Sequence, residues 1–172
     1  VVFGTEVEIV DSDHNTVGNG QVGLIRYRGE GVAAGFYKDA EADRDAYHDG
    51  WFYPGDLGRF DEKRFLFIAG RSKDVIIRGG ANIYPAEIES ALLTHPDVED
   101  AAVVGVRSKE MGEEIVAFVT GAADAATLDA YVRDRIAYYK VPKAFIKLKA
   151  LPKSNLGKIH KEALKKNAAK FL

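Results

Sequence analysis

The sequence has no cysteine among its 172 residues, and it has only one methionine and one tryptophan. Without cysteine the chain forms no disulfide, builds no thiolate metal site and carries no thiol nucleophile of its own. No stretch approaches 18 consecutive apolar residues, so we expect no membrane span. The sequence also opens without the basic region and apolar run of a secretory signal. Together these features predict a cytoplasmic protein.

The overall composition is that of a soluble globular protein. Hydrophobic residues make up 47% and charged residues 29% of the chain, close to the averages for such proteins. A chain of this length buries roughly 70% of its unfolded surface, so it needs neither disulfides nor metals to fold. Length alone predicts one ordinary domain or two small ones.

Charge is unevenly distributed along the chain. The residues before Arg133 include 12 lysines and arginines against 24 acids, whereas those from Arg133 onward include 12 against 2. A basic end of this kind either neutralises the acidic body or meets an anionic partner. We expect no nucleic acid, because the basic end has few aromatic residues for stacking and no nucleic-acid motif. The phosphates of a small molecule suit the charge equally well.

The first part of the chain is predicted to be β-rich. Alternating polarity and turn residues predict a short helix near residues 39–47 and strands at residues 5–10, 22–28, 51–53 and 64–69. The last of these strands is apolar throughout, so we expect it to be buried on both faces. Because so small a set of strands leaves sheet edges uncovered, we infer that it packs against a body outside this sequence.

The second part alternates helices and strands. Pro85 begins a helix that stops at Pro96, Thr127 is expected to cap the next helix, and a basic helix follows at residues 160–170. Strands are predicted at residues 98–106, 114–119 and 144–148. The fold class is therefore α+β: a β-rich subdomain, then a small α+β domain with a central sheet of about three strands flanked by helices. The boundary is placed near residues 70–74.

Three stretches contain residues of the types that bind ligands or catalyse reactions. In DGWFYPGDLG, Asp56 is placed to accept two hydroxyl hydrogen bonds; the alternative is a plain turn aspartate. In GRSKDVIIRGGANIYPAEIE, the pair Gly79-Gly80 lets the backbone turn tightly or lie against a ligand; the alternative is a hairpin turn with solvated flanking charges. In LPKSNLGKI, Lys158 lies on a turn between a strand and a helix, where most lysines are simply solvated.

Several familiar catalytic patterns are excluded. The Gly157-Lys158 pair lacks the preceding glycine and following hydroxyl residue of a Walker loop. The four histidines are scattered without metal-ligand spacing, and there is no G-x-S-x-G elbow. Tyr138, Tyr139 and Met111 are most simply interpreted as packing residues.

These stretches, preceded by GEGVAAGFYKDAEAD and extended to LPKSNLGKIHK, resemble the C-terminal portion of acyl-CoA synthetases. Those enzymes belong to the adenylate-forming family, with luciferases and peptide-synthetase adenylation domains. The resemblance extends from about Glu6 to Lys166, and the long glycine-arginine stretch is its most specific part. It implies two half-reactions: ATP and a carboxylic acid give an acyl-adenylate, and the thiol of CoA then displaces AMP.

The resemblance also implies a domain organisation. Residues 1–71 match the distal β-rich subdomain of the large AMP-binding N-terminal domain, and residues 72–172 match the small mobile C-terminal domain. The family's phosphate-binding loop, its Mg²⁺-binding glutamate and its acyl pocket would lie upstream. The 172 residues alone are therefore expected to be inactive.

Roles follow from the resemblance for residues of the first part and of the boundary. Asp56 matches the aspartate that holds the ribose hydroxyls of ATP or AMP, and Arg71 matches the arginine that supports the same ribose. Lys73 and Asp74 fall at the hinge about which the small domain rotates. Pro54 stands where the family usually has threonine, so any nucleotide contact of that threonine is lost.

Roles in the second part follow in the same way. Lys158 matches the catalytic lysine that reaches the acyl carboxylate and the α-phosphate during adenylation. Arg78, Gly79 and Gly80 match the loop that lines the CoA tunnel. The expected cofactors are ATP, CoA and Mg²⁺, the expected partner is a small carboxylic acid, and no metal ligand is assigned here. The alternatives are a domain that loads a carrier protein, a luciferase-like oxygenase and a non-catalytic binding module.

Overall fold

The computed structural model describes residues 3–168 and residue 170. The chain forms two compact units, which divide between Lys73 and Asp74. Each unit contains its own sheet and its own hydrophobic core. The fold is α+β, as the order of predicted elements indicated.

The first unit is a six-stranded antiparallel sheet with one short helix. Its strands are β1 (Thr5–Val10), β2 (Gly23–Gly29), β3 (Tyr47–His48), β4 (Trp51–Phe52), β5 (Asp56–Phe60) and β6 (Leu66–Arg71), and its helix is α1 (Ala40–Ala46). The strand order is β3-β4-β2-β5-β6, and β1 also pairs with β2. Alternate residues of β1, β2 and β5 face a small core, because side chains on a strand alternate between faces; Ile9, Ile25 and Phe60 are buried there.

The expectation that the apolar strand near residues 64–69 is buried on both faces is wrong for this chain. Phe65 and Ile68 are 63% and 62% exposed, and Phe67 is also exposed. The guanidinium of Arg59 lies over the Phe67 ring, 4.7 Å from its centroid, but the side chains of Phe65 and Ile68 remain largely exposed. β6 is also the last strand of the order, so it pairs with β5 on one side only.

The second unit is a five-stranded sheet with helices on both faces. Its strands are β7 (Ile76–Arg78), β8 (Ala81–Ile83), β9 (Val98–Ser108), β10 (Gly112–Gly121) and β11 (Ala144–Lys147), and its helices are α2 (Pro85–Leu93), α3 (Ala125–Arg133) and α4 (Lys161–Ala168). The central strand β10 pairs antiparallel with β9 and β7, and parallel with β11. The three long strands were predicted, whereas β7 and β8 were missed as strands and make the sheet larger than the three expected.

Alternation along the long strands fills two separate cores. Val103 and Ala117 face α2 and α3, where Ile88 and Leu128 are fully buried. Their neighbours Val104 and Phe118 face the opposite side, where α4 contributes Leu164. The fully apolar central strands are therefore explained by burial on both faces.

The helix ends follow ordinary capping rules, with one correction. Pro85 occupies the first turn of α2, as predicted. Helix α3, however, is capped by Asp124, whose carboxylate accepts a hydrogen bond from the backbone N–H of Thr127 at 2.8 Å. Thr127 is thus the third helical residue and not the cap. Aspartate accepts the free N–H groups of a first turn at least as well as threonine, so the helix begins earlier than expected.

No helix among the described residues is both long enough and apolar enough to cross a membrane.

Candidate functional site

Asp56 and Arg71 form an ion pair at one end of the first sheet. Asp56 begins β5 and Arg71 ends β6, and the antiparallel register places them directly opposite each other. Arg71 Nε lies 2.8 Å from Asp56 Oδ1. The structure therefore brings together the two residues expected to bind ribose. The Asp56 side chain remains 31% exposed, so its carboxylate keeps lone pairs available for further hydrogen bonds.

Ser72, the residue directly after β6, holds the turn before Asp56 through two hydrogen bonds. Gly55 has a φ of +76°, a conformation that glycine adopts without strain. Its carbonyl oxygen accepts hydrogen bonds from the Ser72 backbone N–H at 2.9 Å and from the Ser72 hydroxyl at 3.1 Å. Ser72 thus fixes the start of β5, a contact that the sequence did not reveal because the two residues are distant along the chain.

Tyr27 is a further polar residue near Asp56. Burial raises the pKa of Tyr27, and the nearby Tyr47 and the Asp56 carboxylate raise it further. Its phenol therefore stays neutral and keeps its proton. It lies on β2, and only the pairing of β2 with β5 brings it to this part of the sheet.

The expected hinge residues lie at the division between the two units. Lys73 and Asp74 belong to a single 3₁₀ turn, Ser72–Asp74, and the chain divides between them. Lys73 is exposed. Their role as a hinge remains a prediction.

Gly79 and Gly80 form a two-residue hairpin turn between β7 and β8. Arg78 pairs with Ala81 across it, and the two glycines have φ values of +56° and +81°. Positive φ at both central residues is the requirement of a type I′ turn, which is the favoured two-residue hairpin. The turn by itself thus accounts for both glycines. A Cβ atom on Gly80 would meet nothing within 4 Å, so the backbone of this turn is open to a ligand.

The charge beside this turn is not solvated. Arg78 Nε donates to Glu114 Oε2 at 2.8 Å, and Arg78 Nη1 donates to the carbonyl oxygen of Tyr139 at 2.8 Å. Glu114 is only 5% exposed, and Lys143 Nζ lies 3.5 Å from its other oxygen. Arg78 is therefore fixed in place by a buried carboxylate. The alternative of a hairpin turn with solvated flanking charges does not hold for this residue.

A cleft of about 770 Å³ opens beside the turn and the Arg78–Glu114 pair. Its walls include Met111, Arg133, Tyr138 and Lys143. Tyr138 is 84% exposed, so its interpretation as a packing residue is wrong. It lies in the 3₁₀ turn Tyr138–Lys140 and not in a core-facing helix or strand. Asp129 accepts hydrogen bonds from Arg133, so the two charges of that pair offset each other within the cleft lining. The lining has three cationic residues, Arg78, Arg133 and Lys143, against the two acids Glu114 and Asp129.

Lys158 lies on an exposed hairpin loop between β11 and α4. The loop is closed by an antiparallel bridge between Lys153 and Ile159 and by a hydrogen bond from the Ser154 N–H to the Lys158 carbonyl oxygen at 2.8 Å. Gly157 supplies the positive φ, +77°, that the reversal requires. Among the described residues, Lys158 forms no ion pair, so its ammonium group is available to an anion.

The glycine turn and the Lys158 loop lie near opposite ends of the β9–β10 strand pair. Arg78 pairs with Gly112, the first residue of that strand. The loop residue Lys153 binds Asp100 at 2.8 Å, and Asp100 pairs with Thr120 near the strand's end. Eight residues of extended strand separate these positions by roughly 27 Å. The two features therefore belong to different ends of one rigid sheet.

Comparison with known proteins assigns the family. The AMP-binding enzyme C-terminal domain matches residues 87–158. The sulfoacetate–CoA ligase of Cupriavidus necator is 42% identical over 170 residues, covering 96% of this chain and 33% of that ligase. The chain belongs to the AMP-forming acyl-CoA synthetase family and corresponds to its C-terminal portion. The resemblance predicted from the motifs is thereby confirmed.

Solved structures match nearly the whole of this chain as well. The o-succinylbenzoate CoA synthetase (MenE) of Bacillus subtilis, in complex with its acyl-adenylate intermediate, has a TM-score of 0.89 at 34% identity and covers 95% of this chain and 34% of its own. The amide bond synthetase McbA of Marinactinospora thermotolerans has a TM-score of 0.91 at 34% identity, with 96% and 34% covered. The chain thus spans about a third of the length of the relatives it matches.

Across residues 3–168 and residue 170, no three histidine, aspartate or glutamate side chains come together as metal ligands.

Proposed function

We propose that the full-length protein is an ATP-dependent, AMP-forming acyl-CoA ligase, and that this portion supplies its ribose-binding pair, its adenylation lysine and part of its CoA site. The observation that carries the proposal is the 42% identity with a CoA ligase over 96% of the chain. The proposal is further supported by the positions of the charged side chains, considered in turn.

The first half-reaction joins the carboxylic acid to AMP. A carboxylate oxygen attacks the α-phosphorus of ATP, and pyrophosphate leaves with the electrons of the bond that breaks. Negative charge shifts toward the bridging oxygens as this happens, so a compact ammonium group at that point lowers the barrier. Lys158 suits this task because it is exposed and unpaired within the described residues. Removal of one such preorganised donor costs about 10²–10³ in rate.

The proposed ribose site is the Asp56–Arg71 pair. A carboxylate can accept hydrogen bonds from both hydroxyls of a vicinal diol, and the arginine holds that carboxylate in a fixed orientation. Pro54 brings no hydroxyl and no backbone N–H to the same turn, so the nucleotide contacts at this point rest on Asp56 and its partner.

The second half-reaction transfers the acyl group to CoA. The thiol sulfur attacks the acyl carbonyl carbon and loses its proton, and AMP leaves. Arg78, Gly79 and Gly80 are the proposed lining of the path to that carbon. At Gly80 the turn has open space beside its backbone, which suits a narrow pantetheine arm. The lining of the neighbouring cleft has one more cationic than acidic side chain, which suits a phosphate-bearing ligand.

The two half-reactions are proposed to use the two ends of the second unit in alternation. The glycine turn pairs with one end of β10, and Lys153 of the Lys158 loop binds Asp100, which lies opposite Thr120 near the other end. These two positions on β10 are roughly 27 Å apart by strand length. One reaction centre cannot meet both ends at once, so the unit must reorient between the steps. Lys73 and Asp74, in the turn where the units divide, are the proposed hinge.

The acid substrate is proposed only as a carboxylic acid. Two of the relatives are named for very different acids, sulfoacetate and o-succinylbenzoate. Both of these relatives nevertheless resemble this portion of the chain, at 42% and 34% identity. This portion of the chain therefore does not carry the selection of the acid.

The acceptor has a second candidate, an amine in place of the CoA thiol. The likeness to an amide bond synthetase, with a TM-score of 0.91, favours this alternative. Both acceptors attack the same acyl-adenylate, so they share the first half-reaction. Loading of a carrier protein is a third acceptor class that the same experiment distinguishes.

The test uses the full-length protein and a panel of carboxylic acids. We expect ATP–pyrophosphate exchange with at least one acid, followed by release of AMP when CoA is added. We expect no exchange from the 172 residues alone. The proposal would be contradicted if the full-length protein showed no exchange with any acid of the panel. Turnover by the 172 residues alone would also contradict it. AMP release with an amine or a carrier protein, but not with CoA, would identify the alternative acceptor.

A further inference from the structure

Two ion pairs hold the Lys158 loop, one on each side of the lysine. Before it, Lys153 Nζ lies 2.8 Å from Asp100 Oδ2, on β9. After it, Lys161 Nζ lies 2.8 Å from Glu89 Oε1, on α2. These two lysines are thus bound to the body of the unit, whereas Lys158 between them is free to meet a ligand.

The second ion pair, Lys161–Glu89, is the more buried of the two. The side chains of Lys161 and Glu89 are only 21% and 18% exposed. Glu89 Oε1 also accepts a hydrogen bond from the backbone N–H of Val103 at 2.7 Å. One carboxylate therefore ties together helix α2, strand β9 and the first residue of α4. Ile159, next to Lys158, packs against the core on the α4 side of the sheet.

We infer that Asp100 and Glu89 are positioning residues, which hold the backbone on either side of Lys158 in place for the adenylation step. A long lysine side chain has considerable rotamer freedom, and an unanchored loop would add backbone freedom to it. Fixing the chain at Lys153 and Lys161 removes the backbone part of that freedom. This inference rests on the role proposed for Lys158.

The test compares both half-reactions of the full-length protein in the variants Asp100→Asn and Glu89→Gln. Glutamine at position 89 keeps an oxygen for the Val103 N–H and removes only the charge. We expect each change to lower the rate constant of ATP–pyrophosphate exchange at saturating ATP and acid by about two- to tenfold, as befits partly exposed ion pairs. Thioester formation from a supplied acyl-adenylate should stay within about twofold of wild type.

Two controls separate positioning from a general loss of stability. Glu87→Gln removes a similar ion pair, with Lys140 at 2.7 Å, from the same helix α2 but away from the loop, and should leave exchange unchanged. Combining Asp100→Lys with Lys153→Asp reverses the first pair and should restore exchange toward wild type. Equal loss in both half-reactions, equal loss in the Glu87 control, or no rescue by the reversed pair would overturn the inference.

Lys158→Ala, measured in the same series, distinguishes a failure of the positioning role from a failure of the role proposed for Lys158. If Lys158→Ala abolishes exchange while Asp100→Asn and Glu89→Gln leave it intact, only the positioning role is overturned. If Lys158→Ala itself retains full exchange, the role proposed for Lys158 fails, and the positioning role fails with it.

Discussion

Substitution of Gly80 tests whether CoA passes the hairpin turn between β7 and β8. We compare Gly80→Trp with Gly80→Asn, because both place a side chain on a residue whose φ is +81°. Asparagine tolerates this left-handed conformation better than other residues with a Cβ. The two variants therefore differ chiefly in the volume that projects from the turn.

The cost in stability is set by the backbone alone. A Cβ on Gly80 meets nothing within 4 Å, so the Cβ itself adds no steric clash to the roughly 1–2 kcal/mol cost of a left-handed residue. For a unit of about 100 residues, each kcal/mol lowers the melting temperature by roughly 4–8 °C. Gly80→Trp is thus expected to stay folded at assay temperature, and Gly80→Asn is expected to lose less.

The functional cost is expected in one half-reaction only. A tryptophan side chain in the path of the pantetheine arm should lower kcat/KM for CoA by about a hundredfold, the scale of a misplaced reactant. ATP–pyrophosphate exchange should remain within about twofold of wild type, because the Lys158 loop is anchored near the other end of the sheet, through Lys153 and Asp100. The assay is thioester formation from a supplied acyl-adenylate at varied CoA concentration, with exchange measured on the same preparations.

Two results would refute this reasoning. One is an equal fall in both half-reactions for Gly80→Trp, which would indicate a loss of folded protein or of the hinge motion. The other is an equal effect of asparagine and tryptophan on kcat/KM for CoA, which would show that side-chain volume at the turn is irrelevant.

The remaining predictions concern the ribose pair and the cap of α3. Asp56→Asn should raise the KM for ATP in exchange, while its exposed ion pair with Arg71 makes the change in unfolding free energy at most about 1 kcal/mol; an unchanged KM would contradict the ribose role. Asp124→Ala should lower the melting temperature at pH 7, because the Thr127 N–H loses its acceptor. The hydrogen bond lowers the pKa of Asp124, so its contribution is present above the ordinary value of about 3.9 and disappears as pH falls through the lower value of the folded state. Melting curves of both proteins should therefore converge at acid pH, and a constant difference down to that range would argue against the cap.

The motifs identified the family, and local patterns located most elements. Proline at the start of α2, alternation in β1 and apolar runs in the long strands are short-range signals, and each was found where expected. The short strands β7 and β8 were missed because three residues each are too few to show a period. Their hairpin was nevertheless considered, through its two glycines.

The contacts of the site could not be predicted in the same way. Glu114 is one of two adjacent glutamates in the sequence, and only the pairing of β10 with β7 brings it to Arg78 as a buried partner. Tyr138 was misread for a related reason, since an aromatic residue in a basic stretch gives no sign of its exposure. The exposure of the β6 side chains depends on which elements pack against that strand in the tertiary fold, and the local apolar pattern does not show this.

The sequence by itself determined the family, the order of elements and which side chains carry charge, because these depend on residue types and on spacing along the chain. The tertiary structure alone decided which charges are neutralised and which remain free. Lys153, Lys158 and Lys161 lie within nine residues, and the sequence singles out Lys158 by its motif but does not show which of the three has an acidic partner. The fold places Asp100 and Glu89 beside the outer two and leaves Lys158 exposed, since an ion pair requires partners that only the packing of distant segments brings together.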